Sequence, residues 1–142
     1  MSAAAFDFCL AVAAAHSRLQ RKLDDELGTF HGLGLADFRL LTALADAPGQ
    51  RLATGQLGAV PGVQPSAAMR HVLPLEKSGW VARETSGPMR DVVLRAPGQR
   101  VQREAAETVA AICGNALGKL PPGGDARRLL DALADSPALE LR

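Results

Sequence analysis

The sequence predicts a mainly α-helical chain with a small two-stranded β-wing: a winged helix-turn-helix lobe plus a helical region drawn from both termini. Three observations predict it. In residues 64–80, Ala68, Val72 and Leu75 fall at four- and three-residue spacings, which puts them on one face of a short helix. After Gly79 the period drops to two: Val81, Arg83 and Thr85 alternate with Ala82 and Glu84, and Val92 to Arg95 form a second β-prone run. Long helical periodicities lie on either side, over 4–30 and 99–120.

Residues 4–30 read as one long helix, with Phe6, Cys9, Ala13, His16, Gln20, Leu23, Leu27 and Phe30 on a three/four spacing. Leu10 and Leu19 widen that apolar face beyond what one neighbour covers, which suits a helix that packs on its own domain and on a second subunit. Gly28, Gly32 and Gly34 are expected to break it. The next helix is Leu35–Ala47, with Phe38, Leu41, Leu44 and Ala45 inward, Asp37 in its favourable first turn, and Pro48-Gly49 as the stop.

Leu52–Val60 is expected to form a short, weak helix anchored by Leu52 and Leu57, because Gly55 and Gly58 each cost about 1 kcal/mol relative to alanine. Pro61-Gly62 then turns the chain into the recognition helix. Pro65 suits its first position and Gln64 is a mediocre N-cap. Pro74 inside this helix deletes the hydrogen bond to the Arg70 carbonyl, which costs about 3 kcal/mol unless the helix kinks. Ser86 to Arg90 carry the turn of the wing.

After Ala96-Pro97-Gly98 the helix over 99–120 places Val101, Ala105, Val109, Ile112, Ala116 and Leu120 on one face. Pro121-Pro122-Gly123-Gly124 breaks it, Asp125 can cap a last helix through Asp135 with Leu129, Leu130 and Leu133 apolar, and Pro137 ends that helix.

At 142 residues and 47% hydrophobic composition, one domain spanning 1–142 is the default. The net charge is only +1, yet residues 50–100 hold seven Lys/Arg against three Asp/Glu, so a mildly basic middle segment faces an anionic partner or forms a solvated mixed-charge surface. With no tyrosine, an aromatic platform for unpaired bases is not expected. The alanine-rich first twenty residues lack a basic start and are interrupted by Asp7, and no charge-free run reaches the roughly 18 residues of a spanning helix, so no export signal and no membrane association are expected. Two cysteines imply no disulfide framework and a reducing cytoplasm.

Three stretches stand out: Gly34-Leu35-Ala36-Asp37-Phe38-Arg39-Leu40-Leu41, Leu75-Glu76-Lys77-Ser78-Gly79-Trp80-Val81 and Leu94-Arg95-Ala96-Pro97-Gly98-Gln99-Arg100. In that order they resemble the second-helix opening, the hinge between recognition helix and wing, and the entry into the following helix of the MarR family of bacterial transcriptional regulators. The resemblance implies a cytoplasmic, ligand-responsive repressor without catalytic activity or cofactor. It implies a homodimer held by 4–34 and 99–136, with lobes of residues 35–98 meeting successive major grooves of a pseudo-palindromic operator in double-stranded DNA, half-sites roughly 34 Å apart. A small aromatic or acidic effector would bind between the dimerisation helices and the lobe. Three positions depart from the family pattern: Pro88 stands where the wing often has an aspartate, Arg95 where a threonine would cap the next helix, and, most unusually, Pro74 inside the recognition helix.

Onto that pattern fall Gln64, Ser66, Ala67, Arg70 and Arg90 as DNA contacts, with Arg70 for a guanine edge or phosphate and Arg90 for the minor groove. The bland alternative is a solvated polar helix and turn, and Met69 is read as surface filler rather than as a base reader. His16, Arg18 and Arg39 are the effector-site candidates, His16 as an imidazole on the first helix and the arginines as carboxylate partners, against the alternative of an interface histidine and surface ion pairs. His71 reads as a packed, hydrogen-bonded histidine. The histidines and cysteines have no metal-ligand spacing, so no metal is expected. Peroxide-sensing relatives oxidise a first-helix cysteine, but they use tyrosines this chain lacks, so Cys9 is expected to be buried and inert. Two alternatives stay open: a winged-helix protein-interaction module that has lost DNA binding, and a redox-sensing repressor working through Cys9.

Overall fold

Leu27, Leu41, Leu57 and Val92 keep no exposed surface. They come from two helices, a 3-10 turn and a strand, and the core sits where these four elements meet. The computed structural model describes residues 2–142. The chain forms two compact units, the first ending at Ala110 and the second running Ala111–Arg142.

In the first unit, helix α1 spans Ala3–His31, with Ser2 accepting the Ala5 N–H as its cap. It runs through Gly28 rather than breaking there, because Leu23 and Leu27, buried in the turns just before it, outweigh the propensity cost of one glycine. The helix stops at Gly32, whose N–H returns to the Gly28 carbonyl at 3.2 Å. Only its C-terminal end is buried: from Ala3 to Lys22 the side chains are exposed, Val12 alone being half-buried. Helix α2 spans Leu35–Asp46 and buries Leu40, Leu41 and Leu44; Phe38 and Ala45, expected inward, are half-buried.

The expected helix over 52–60 is absent. Arg51–Ala53 is instead a strand, β1, followed by a 3-10 turn over Thr54–Ala59. Gly55 and Gly58 leave little to hold a helix, and the strand gains a ladder that a helix would forfeit: Leu52 lies opposite Val92. The wing is therefore part of a three-stranded antiparallel sheet, β2 being Val81–Ser86 and β3 Met89–Leu94, in the order β1-β3-β2. Val92 and Leu94 of β3 alternate with more exposed residues, whereas β2 buries only Val81 at its start, and Arg83 and Thr85, expected on the same face, are exposed. The turn narrows to Gly87-Pro88, and Arg90, expected in it, is a strand residue paired with Thr85.

Recognition helix α3 covers Ala68–Lys77 and is entered through a 3-10 turn, Pro65–Ala67, closed by Ala67 N–H to the Gln64 carbonyl at 2.9 Å. Ala68, Val72 and Leu75 are its buried face, as their spacing demands. Pro74 stays inside the helix, on its exposed side, where the Arg70 carbonyl it leaves without an N–H partner faces water. Gly79, at φ 78°, reverses the chain so that Trp80 N–H reaches the Leu75 carbonyl at 3.0 Å and β2 can begin.

Helix α4 spans Ala96–Leu117, three residues earlier than expected at its start, because Pro97 is accommodated in the first turn, where its missing N–H has no partner to lose. Gln99 N–H bonds the Arg95 carbonyl and Arg95 N–H the Trp80 carbonyl, tying the helix entry to the hinge after α3. In this first unit, Ala105 is the buried member of the expected face.

The second unit holds the last turns of α4 and helix α5, Asp125–Ala134, followed by a 3-10 turn over Pro137–Leu139. Asp125 is the first helical residue and pairs with Arg128, so it is Gly124, not Asp125, that stands at the cap position. Leu129 and Leu130 are exposed. No helix among the described residues is long and apolar enough to cross a membrane.

Candidate nucleic-acid interface and its adjoining cleft

The outward side of α3 and its entry turn carries Gln64, Ser66, Met69, Arg70, Leu73 and Lys77, all exposed, while Ala67 is half-buried. Beside it the sheet is built from paired charges. Arg83 of β2 is gripped by Glu76 of α3, its Nε donating to the two carboxylate oxygens at 3.1 and 3.0 Å and its backbone N–H at 3.3 Å. The guanidinium holds the Glu76 carboxyl below the usual glutamate range, and Glu76 in turn raises Arg83. Arg51 of β1 reaches across the sheet to Glu84 of β2 and, at 3.1 Å, to Asp91 of β3, so one cation joins all three strands.

These pairs decide which cations remain for an anionic partner. Arg51 and Arg83 are spent on carboxylates of the lobe; Arg70 and Arg90 make no ion pair among the described residues. A cleft of about 460 Å³ lies between helix and wing, with Met69 and Glu76 on one side and Arg83, Glu84, Arg90 and Asp91 on the other. The interface that the sequence pattern placed on Gln64, Ser66, Ala67, Arg70 and Arg90 thus sits on one helix face, its entry turn and one strand.

The other side of α3 meets the start of α2. There the Asp37 carboxylate accepts the Gly34 N–H at 2.9 Å and contacts His71 Nδ1 of α3 at 3.0 Å, while Asp24 of α1 accepts the Leu35 N–H at 2.6 Å. Two free donors of the α2 N-terminus are thereby satisfied by carboxylates of two elements, and one of these carboxylates fastens the recognition helix. His71 is hydrogen-bonded, as read from sequence.

Above this joint opens a cleft of about 640 Å³, lined by His16, Gln20 and Asp24 of α1, residues 34–36 and Arg39 of α2, residues 62–64, and Ala67 and His71. Two of the three effector-site candidates, His16 and Arg39, come together here; Arg18 is outside the lining. Arg39 lies over Gly62, where any Cβ would strike its guanidinium, and donates from Nη1 to the Pro61 carbonyl at 3.2 Å. Sequence reasoning missed Gln20 as a polar wall and Asp24 altogether, although residues 16, 20 and 24 repeat at four, the spacing of one helix face. Gln64 and Ala67 border this cleft as well as the outward face.

Cys9 is exposed, contrary to the expectation of burial, because the half of α1 that carries it has nothing packed over it in the single chain. Among the described residues no group of three His, Cys, Asp or Glu side chains stands where it could hold a metal ion.

A helix-turn-helix whose second helix is flanked by a hairpin wing defines the class, a winged helix-turn-helix protein. The sequence model of the MarR family matches residues 31–88, from the end of α1 to the turn of the wing. The match covers the helix-turn-helix and the first strand of the wing, the part of the chain in which it is similar to that family. No curated protein matches it by sequence. Among solved structures it is similar to Sco3205, a MarR family transcriptional regulator from Streptomyces coelicolor in complex with DNA, at 23% identity over 94% of this chain and 86% of that one, TM-score 0.82. It is similar to CouR from Rhodococcus jostii RHA1 bound to p-coumaroyl-CoA, at 19% identity over 99% and 100% of the two chains, TM-score 0.82. It is also similar to the Mycobacterium tuberculosis MarR family protein Rv2887 in complex with salicylic acid, at 25% identity over 87% and 90%, TM-score 0.63.

Proposed function

We propose that this protein is a cytoplasmic, homodimeric repressor that binds a pseudo-palindromic operator in double-stranded DNA and releases it when a small aromatic or acidic effector binds. The cleft beside α3 carries the proposal. Its walls are α1, the start of α2 and the recognition helix itself, so a ligand seated there touches His16, Arg39 and His71 at once. An effector that fits one spacing of these helices better than another shifts the population of DNA-competent lobes by its differential affinity. That Sco3205 is in complex with DNA, and CouR and Rv2887 with p-coumaroyl-CoA and salicylic acid, supports both halves of the reading.

Gln64, Ser66, Ala67, Arg70 and Arg90 hold the DNA, His16 and Arg39 the effector; Arg18 is left out of this assignment. The dimer is formed by residues 4–34 and 99–136 around the lobe of 35–98. Support for it comes from the uncovered apolar side chains of α1, Phe6 at 57% and Leu10 at 56% exposure, and separately from Leu129 and Leu130 of α5.

The test is fluorescence anisotropy of the purified chain on its own upstream intergenic duplex against a scrambled one, at two salt concentrations, with sedimentation equilibrium for the dimer. Selective binding with a steep salt slope, reduced by salicylate or a coenzyme A thioester and restored to insensitivity by Arg39→Ala, is the expected result. Weak, equal binding to both duplexes would favour the interaction module over the repressor. The exposure of Cys9 supports a second reading, release of DNA on oxidation of its thiol. Hydroperoxide sensitivity abolished by Cys9→Ser is the result that would establish it.

A further inference from the structure

The recognition helix offers an anionic duplex fewer polar readers than its position requires. Between Ser66 and Lys77, Arg70 is the one exposed long polar side chain, and the helix's acid, Glu76, is turned to the wing and held by Arg83. Besides Pro74, the exposed apolar side chains of the helix are Met69, at the mouth of the cleft to the wing, and Leu73, at 36% and 47% exposure. They are four residues apart, one above the other on the flank of α3 between the buried Ala68, Val72 and Leu75 and the fully outward Arg70 and Lys77. The apolar pair stands on a surface carrying Arg70 and Lys77 on which, among the described residues, the nearby carboxylates Glu76, Glu84 and Asp91 are all held by arginines, which suits a polyanion and not a second apolar protein face.

An apolar side chain in the major groove discriminates among bases in one way. Guanine and adenine present acceptors and adenine and cytosine present amino donors, all of which lose hydration against a thioether or isobutyl group; thymine alone presents a methyl. We propose that Met69 and Leu73 are specificity-determining residues that read thymine methyl groups, so that each half-site carries thymine at the positions beneath them. This rests on the DNA-binding reading above, and it makes the apolar side chains of α3 part of the readout alongside Arg70.

Deoxyuridine differs from thymidine only in lacking that methyl, which separates methyl readout from hydrogen-bond readout. The full-length chain is used to select duplexes from a random 30-base-pair library, and the enriched duplex is resynthesised with single thymidine-to-deoxyuridine replacements. Losing a buried methyl corresponds to about fourfold weaker binding. That loss is expected at one or two thymines per half-site, and is expected to disappear in Met69→Ala/Leu73→Ala, whose exposed positions leave the fold intact by circular dichroism. Uniform indifference to deoxyuridine, or a sensitivity that persists in the double variant, would overturn the inference while leaving the DNA-binding reading in place. A library that yields no enriched sequence and no salt-dependent binding would overturn that reading and the inference with it.

Discussion

Asp37 and His71 join the helix-turn-helix from inside: the carboxylate that closes the start of α2 also contacts His71 Nδ1 of α3 at 3.0 Å. Removing it unties two things at once, an N-terminal cap and the link to the recognition helix. Asp37→Ala is expected to lower stability by about 1–2 kcal/mol, the range of a lost cap, in urea denaturation followed by circular dichroism. His71→Ala is expected to cost less, since the cap survives it. Equal losses in the two variants would show that the cap contributes nothing separately.

Glu76 and Arg83 clamp the wing to the recognition helix, and the clamp has a pH signature. The Glu76 carboxyl is depressed by its hydrogen bond from Arg83, so the interaction is fully present above the ordinary glutamate value of 4.5 and is lost as pH falls through the lower folded value. DNA affinity is therefore expected to be independent of this pair between pH 6 and 8. Glu76→Gln is expected to weaken DNA binding severalfold at neutral pH and to remove part of the acid-induced change in wing mobility, read by amide exchange of β2. Unaltered exchange in the variant would mean that the ladder with β3 alone positions the wing.

Gly98 lies so close to Trp80 that a Cβ would occupy the place of the Trp80 carbonyl oxygen, the acceptor for Arg95 N–H. Neither partner can yield, since both are backbone. Gly98→Ala is expected to cost about 1–3 kcal/mol, the range for overpacking, and to lower the melting temperature by several degrees. A melting temperature at the wild-type value would show that the entry of α4 can shift.

Arg70 is an unpaired cation on the outward face of α3. Arg70→Ala is expected to reduce DNA affinity without changing the sedimentation of the folded protein. If Arg70 meets a phosphate, the slope of log K against log salt falls by about 0.9 and the loss is the same on all sequences; if it meets a guanine edge, the loss is confined to the selected site. Unchanged affinity would remove Arg70 from the interface.

What was legible in the sequence was whatever follows from spacing along one element. The buried triad Ala68, Val72 and Leu75, the existence of β2, and the stops at Gly32 and Gly79 depend on residues within a few positions of each other, and period and turn chemistry report these directly. The family likeness rested on the same kind of local stretch. It also carried Arg70 and Arg90 to the outward surface and His16 and Arg39 to one cleft.

Tertiary structure alone decided the rest. Leu52 and Leu57 read as the anchors of one short helix, yet Arg51–Ala53 is extended because β3, far along the chain, offers its edge. Cation pairing was equally hidden. Arg51, Arg70, Arg83 and Arg90 are indistinguishable in composition, and only the fold sets Glu76 beside Arg83 and Glu84 and Asp91 beside Arg51, leaving the other two without an ion pair among the described residues. The physical reason is common to both: a ladder edge and an ion pair depend on distances between elements, and those distances are set by how the buried leucines pack, not by any period within a single element.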